Sequence, residues 1–243
     1  MEWFEAWFNS KDYLKVYRHR DEEEATKLAG LILDNIDIES GKKVLDMAAG
    51  SGRHAIYFAK EGFEVTAVDL SKYLLSVAKK KANKTDLNIH FVHSDIRQFE
   101  VNTKFNLILN LFTSIGYFEN DEENYSVLVK AYNLLENDGY FVLDYLNRYL
   151  VENNLVPSTV DELDGKTIAQ KRFIQGNRII KEITIDNGGQ VKKYIESVRM
   201  FSDSELIQIL KKIGFKVLKT FGDFNGELFK LESSPRIIII AGK

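Results

Sequence analysis

The sequence predicts an α/β fold: a doubly wound, mostly parallel sheet into which a small antiparallel sheet is inserted. Three observations lead there. Short aliphatic strands alternate with amphipathic helical runs through the first half of the chain. A strand carrying Asp46 runs through the small residues Ala48-Ala49-Gly50-Ser51-Gly52 into a helix. From 164 to 201 the helical period vanishes, and three extended runs are separated by glycine turns.

Asp21 followed by Glu24 is a capping-box pattern, and Ala25, Leu28, Leu31 and Ile32 recur at helical spacing, which predicts a helix over about 21–36. Ser40-Gly41 turns the chain into a first strand, Val44 to Met47, and the small-residue loop leads to a helix with Ile56, Phe58 and Ala59. Val65 to Asp69 is a second strand, and Ser71 caps a helix carrying Leu74, Leu75 and Ala78. A third strand, Ile89 to Val92, ends at His93-Ser94-Asp95, and Phe105 to Asn110 is a fourth. A helix bounded by Asp121 and an Asn137-Asp138-Gly139 turn precedes a fifth strand, Tyr140 to Asp144.

Turns at Gln175-Gly176-Asn177 and Asn187-Gly188-Gly189 divide the next region into an antiparallel meander. Ser202 with Glu205 then opens a helix containing Leu206, Ile209 and Leu210, Gly214 closes it, and strands over 215–220 and 236–241 follow. The expected organisation is one domain over 1–163 and 202–243, with 164–201 inserted as a β cap over a substrate site. The cap's edges offer pairing between two copies of the chain, a homodimer.

A chain of 243 residues with 44% hydrophobic content can bury a sizeable core. It has no cysteine, which excludes disulfides, thiolate metal sites and cysteine nucleophiles. Lys plus Arg is 33 against 36 for Asp plus Glu, without the basic footprint of a nucleic-acid binder. The opening MEWFEAWF lacks the charged region of a secretory signal, and the longest apolar run, Ile237 to Ile240, is far too short to span a bilayer. The expectation is a cytoplasmic protein acting on a small molecule, with neither nucleic acid nor membrane as partner.

A strand that ends in an acid and enters a helix through glycines builds a nucleotide-binding loop. Asp69 ends the next strand where an acid meets ribose hydroxyls in such folds. Charge separates the candidate nucleotides. A pyrophosphate would be repelled by Asp46, and Arg53 stands where a dinucleotide motif would place its third glycine. S-adenosylmethionine offers an ammonium and a sulfonium, both attracted by an acid at this strand end.

With these residues the sequence resembles the class I S-adenosylmethionine-dependent methyltransferases. Their motif D-x-G-x-G-x-G matches Asp46, Gly50 and Gly52, with Ala48 in place of the first glycine. The resemblance implies a Rossmann-like sheet of about seven strands, the last antiparallel and inserted between the fifth and sixth. It also implies ribose contact by Asp69, adenine contact by Asp95, and further cofactor contacts from Leu70, Ile96 and Asn110. Where the family's fourth motif begins with an acid this chain has Asn106, and no weight rests on that side chain. The segments DYLKVYRHR, LNLFTSIGY and FGDFNGELF are similar to those of a bacterial small-molecule group that includes sugar-amine N-methyltransferases. S-adenosylmethionine as cofactor, S-adenosylhomocysteine as product and a small polar acceptor, an amine, follow from that likeness.

No general base stands out. Tyr13, Tyr17 and Tyr117 are the candidates for lining the transfer site, although tyrosines of an aromatic-rich terminus also simply pack. Arg18 and Arg20 suit a carboxylate of donor or substrate, or a solvated helix face. Asp223 and Asn225 suit substrate contact, or a plain turn beside Gly222 and Gly226. Asp46 also suits a bond to its own loop, Asp69 a helix cap, and Asp95 a turn. His90 and His93 are three apart on a strand and face opposite sides, so no metal site is expected, and His54 reads as structural. Two other functions share the loop and ribose acid: a nicotinamide-dependent oxidoreductase, and a non-catalytic S-adenosylmethionine-binding protein.

Overall fold

The computed structural model describes residues 2–243. Two short helices, α1 (Trp3–Phe8) and α2 (Lys11–Val16), precede α3 (Glu22–Leu33). The alternating half runs β1 (Lys43–Met47), α4 (Arg53–Lys60), β2 (Glu64–Asp69), α5 (Lys72–Lys84), β3 (Ile89–His93), β4 (Phe105–Asn110), α6 (Asp121–Leu134) and β5 (Leu135–Leu146). After α7 (Arg148–Asn153) come β6 (Ser158–Leu163), β7 (Lys166–Gln175), β8 (Arg178–Asn187) and β9 (Gln190–Arg199). The chain ends with α8 (Asp203–Ile213), β10 (Lys216–Phe221) and β11 (Arg236–Gly242).

Seven strands form one sheet in the order β10-β11-β5-β4-β1-β2-β3. All neighbours are parallel except β11, which runs antiparallel between β5 and β10. Successive strand residues feed opposite faces. Leu45, Ile108, Leu143 and Ile239 pack with Leu128 of α6 and Leu206 of α8, whereas Val44, Leu107, Val142 and Ile240 pack with Leu28 of α3 and Phe58 of α4. Burial on both faces explains the near-continuous apolar strands.

Local signals place the helix starts. Asp21 accepts the Glu24 amide at 2.9 Å, but Glu24 does not close a capping box; its carboxylate lies 3.9 Å from Arg53. Ser202 and Glu205 make the full reciprocal box.

Two elements differ from expectation. The antiparallel sheet has four strands, β6-β7-β8-β9, and begins at Ser158 rather than 164. Its first strand, STVDEL, is an exposed edge with Val160 turned to solvent, so it lacks the alternation that burial would impose. The Asn137-Asp138-Gly139 segment is not a free turn ahead of the fifth strand. Leu135 pairs with Phe105 and Tyr140 with Leu107, so residues 136–138 bulge outward inside β5 while Leu135 and Gly139 stay buried. Among the described residues, no helix is long and apolar enough to cross a membrane.

Candidate active site

The carboxyl ends of β1, β2 and β4 open onto a cavity of about 130 Å³. The loop after β1 takes left-handed backbone at Ala48, Gly50 and Gly52, with φ of 64°, 56° and 75°. At Gly52 a side chain is excluded twice over, because an added Cβ would also sit 2.8 Å from Ala78 Cβ. Asp69 organises this loop: its Oδ2 accepts the Gly50 amide and its Oδ1 the Ser71 amide, each at 2.7 Å. Ser71 in turn caps α5 and donates to the Phe8 carbonyl, tying α1 to the loop.

Asp46, Ala48, Gly50, Asp69, Leu70, Asp95 and Ile96 all line this cavity. Gly52 and Asn110 do not; Gly52 is pressed against α5, and Asn110 is fully buried with neither side-chain polar atom partnered. Asp95 is held in a fork by Arg97 at 2.7–3.1 Å, and Arg97 also reaches Glu123 at 2.6 Å. Asp46 is 1% exposed and its Oδ2 has no partner. Burial pushes its carboxyl up to about 7, Asp69 adds to this, and the Ala55 amide and Arg53 work against it. A buried carboxylate with one free oxygen at the strand end is a seat for a cation. Burial also drives His54 down to about 3, so its ring is neutral at the cavity wall.

A second cavity, of about 210 Å³, adjoins the first. Phe8, Tyr13, Tyr17, Arg20, Phe112 and Tyr117 line both. Its other walls come from the antiparallel sheet, through Arg172, Ile179, Lys181, Glu196 and Val198, and from Arg236 at the start of β11. The loop after β4 is held in a costly shape: Phe112 and Thr113 have φ of 58° and 60°. Asp144 fixes it by accepting the Phe112 amide at 2.8 Å while its backbone carbonyl takes the Thr113 amide at 2.9 Å, and Arg236 closes the arrangement on Asp144. Further along, Arg178 donates to the carbonyls of Gly116, Tyr117 and Phe118, and so positions Tyr117.

The three candidate tyrosines therefore come together, and Arg20 joins them, its guanidinium 4.2 Å from the Tyr17 ring and 5.3 Å from the Phe112 ring. Arg18 points away into solvent and lines neither cavity. Asp223 and Asn225 also stand apart. Asp223 accepts the amides of Asn225 and Glu227 at 2.9 and 3.1 Å, so this segment is a self-contained turn. Asn106 accepts the Lys43 amide at 3.1 Å and holds strands rather than ligand. His93 meets the Leu70 carbonyl at 2.9 Å, and among the described residues no group of three or more metal-binding side chains forms.

Sequence reasoning missed Lys181 and Glu196. Both are 12% exposed, with Lys181 Nζ 3.6 Å from Glu196 Oε2 and 2.8 Å from the Tyr17 hydroxyl. Glu196 also accepts from Trp7 Nε1 at 2.6 Å. A signal was present: Lys181 and Glu196 are direct cross-strand partners, each six residues outward from the Asn187–Gln190 closing pair.

Residues 44–139 match the family model described as a methyltransferase domain, the stretch that contains Asp46, Gly50, Gly52, Asp69 and Asp95. The chain is 27% identical over 217 residues to the dTDP-3-amino-3,4,6-trideoxy-alpha-D-glucopyranose N,N-dimethyltransferase of Streptomyces venezuelae, covering 87% of this chain and 86% of that one. It is 28% identical over 194 residues to the glycine/sarcosine N-methyltransferase of Aphanothece halophytica, covering 75% and 69%. The crystal structure of an S-adenosylmethionine-dependent methyltransferase from Clostridium acetobutylicum shares the fold, with a TM-score of 0.80, 20% identity and 95% of each chain covered. Neither the oxidoreductase nor the non-catalytic reading is favoured by these matches. The domain match, the relatives and the acid-lined nucleotide cavity agree on an S-adenosylmethionine-dependent methyltransferase whose methyltransferase domain spans residues 44–139.

Proposed function

We propose that this enzyme methylates the nitrogen of a small polar amine held in the second cavity. One observation carries the reading: the two cavities meet at Tyr13, Tyr17, Tyr117, Arg20 and Phe112, so donor and acceptor would face each other across these side chains. The two relatives named above, both N-methyltransferases by name, support nitrogen as the acceptor atom.

The first cavity suits the donor. Asp46 would face its positive charge, Asp69 and Asp95 its polar hydroxyl and base edges, and Leu70, Ile96 and Phe118 its apolar surfaces. When bound, S-adenosylmethionine supplies a methyl group made electrophilic by its sulfonium and leaves as S-adenosylhomocysteine. What this chain adds is position, an effect of about 7–11 kcal/mol when two reactants are well aligned. It also sets the protonation of the nucleophile. Arg20, Arg172, Lys181 and Arg236 line the acceptor cavity, and like charge disfavours an ammonium, so a bound amine is held as the free base without a dedicated proton acceptor.

The tyrosines are not that acceptor. Burial pushes the hydroxyls of Tyr17 and Tyr117 well up and that of Tyr13 up as well, so all three stay protonated and orient rather than deprotonate. Glu196, a carboxylate in the same wall, balances the charge left on nitrogen once the methyl has moved. The sheet β6–β9 acts as the cap that keeps water from this space.

Incubation with isotopically labelled donor and a metabolite extract, followed by mass spectrometry of the labelled product, tests this reading. Label on nitrogen is expected. Label on oxygen or carbon overturns the amine, and no labelled small molecule overturns the transfer.

A further inference from the structure

The charges around the second cavity do not cancel. Four cationic side chains line it, Arg20, Arg172, Lys181 and Arg236, against one lining carboxylate, Glu196. Lys181 pairs with Glu196, and Arg236 is neutralised from behind by the buried Asp144. Two of the four remain. Arg172 is bonded only to neutral groups, Gln170 Oε1 at 3.0 Å and Thr159 Oγ1 at 3.3 Å. Arg20 makes neither an ion pair nor a side-chain hydrogen bond with any described residue and is held by ring faces alone. The crowding is sharpest at Phe112, whose ring has three guanidiniums about it, those of Arg20, Arg53 and Arg236, at 5.3, 4.8 and 5.5 Å.

Clustered cations raise the free energy of the empty site, and a half-buried guanidinium has several N–H groups that want acceptors. Both demands are met at once by a ligand oxyanion, which guanidinium recognises through paired hydrogen bonds. We propose that the methyl acceptor carries an oxyanion, a carboxylate or a phosphate, seated on the guanidiniums of Arg20 and Arg172. This rests on the reading of the second cavity as the acceptor site. It refines the substrate class to an amine that brings its own negative charge. The oxyanion then stabilises the two guanidiniums that have no carboxylate partner among the described residues.

Titration calorimetry on the wild-type protein tests this, with S-adenosylhomocysteine added first and then benzoate, phenyl phosphate, benzylamine or benzyl alcohol. The expected result is that benzoate or phenyl phosphate binds the product-loaded protein at least tenfold more tightly than benzylamine and benzyl alcohol. The stronger of the two anions identifies the oxyanion. Arg172→Gln is expected to abolish this preference and to leave S-adenosylhomocysteine affinity within twofold; Arg20→Gln is expected to reduce it as well. Equal binding of all four probes, or tighter binding of benzylamine, overturns the inference while the methyltransferase reading stands. Anion binding seen only without S-adenosylhomocysteine, and lost as that product is added, also overturns it, because the seat then belongs to the donor's own carboxylate. Failure of S-adenosylhomocysteine to bind in the first step overturns the reading of the cavities and this inference with it.

Discussion

The Tyr17 hydroxyl lies 2.6 and 2.7 Å from the two carboxylate oxygens of Glu196 and shares its one proton between them. This contact ties the end of α2 to the last strand of the antiparallel sheet, and Lys181 joins it from the neighbouring strand. Trp7, fully buried among Ile168, Ile183 and Ile185, anchors α1 to the same sheet. The second cavity is thus walled jointly by the N-terminal helices and the antiparallel sheet.

Breaking this contact is expected to loosen the wall in two grades. Tyr17→Phe removes a hydrogen bond to a charged group, a loss of about 1.5–3 kcal/mol. Glu196→Gln leaves the Lys181 ammonium buried without its carboxylate, a loss of about 3–5 kcal/mol. Thermal melting orders them: each kcal/mol lowers the midpoint by roughly 2–4 °C in a chain of this size. A Glu196→Gln variant as stable as wild type would remove Lys181–Glu196 from the forces holding the cap.

Donor affinity is expected to depend on pH through Asp46. Its carboxyl is raised to about 7 from 3.8, chiefly by burial. A cationic donor favours the ionised form, so affinity rises with pH, by roughly tenfold per unit below 7, and levels off above it. In the free protein the sign is opposite for stability. The folded state keeps this proton after the unfolded chain has lost it, so the group's contribution falls as pH rises from 3.8 towards 7. Calorimetry in buffers of different ionisation heat measures the proton released on binding, and Asp46→Asn is expected to flatten the profile.

The seven-stranded frame was legible because burial on two faces leaves long apolar runs, and because Ser71, Ser202 and the glycines mark element ends by local chemistry. The edge strand β6 was not, since a strand bathed in solvent has no apolar period. Arg20 and Arg18 look alike in sequence. They part only because the turn after α2 sends one into the cavity and the other outward, a choice made by packing with Phe112, which lies far along the chain. Asp223 suits a ligand contact or a turn equally in the sequence, because a turn-forming aspartate and a binding aspartate have the same neighbours, and in the structure it accepts the Asn225 amide.

The glycine loop contains a built-in strain. Ala48 holds φ of 64°, a region that disfavours a side chain by about 1–2 kcal/mol. Ala48→Gly is expected to relieve it and, after the larger entropy of the unfolded glycine, to stabilise the fold by about 0.5–1 kcal/mol. Gly52→Ala should do the reverse, since φ is 75° and the new Cβ would stand 2.8 Å from Ala78 Cβ. Melting curves of the two variants should move in opposite directions.

Asp69 has two tasks that one substitution would confuse. Each carboxylate oxygen already accepts a backbone amide, from Gly50 and from Ser71, and each retains a lone pair that a ribose hydroxyl can use. Asp69→Asn sets an NH₂ group against one of those amides, so a loss of about 1–3 kcal/mol in stability is expected whatever the ligand role. The ligand role shows in discrimination. Wild-type protein is expected to bind S-adenosylhomocysteine more tightly than its 2′,3′-dideoxy analogue by about 1.5–3 kcal/mol, the range for bonds to a charged group. Asp69→Asn should narrow that gap. Equal affinity of wild type for the two ligands would confine Asp69 to shaping the loop.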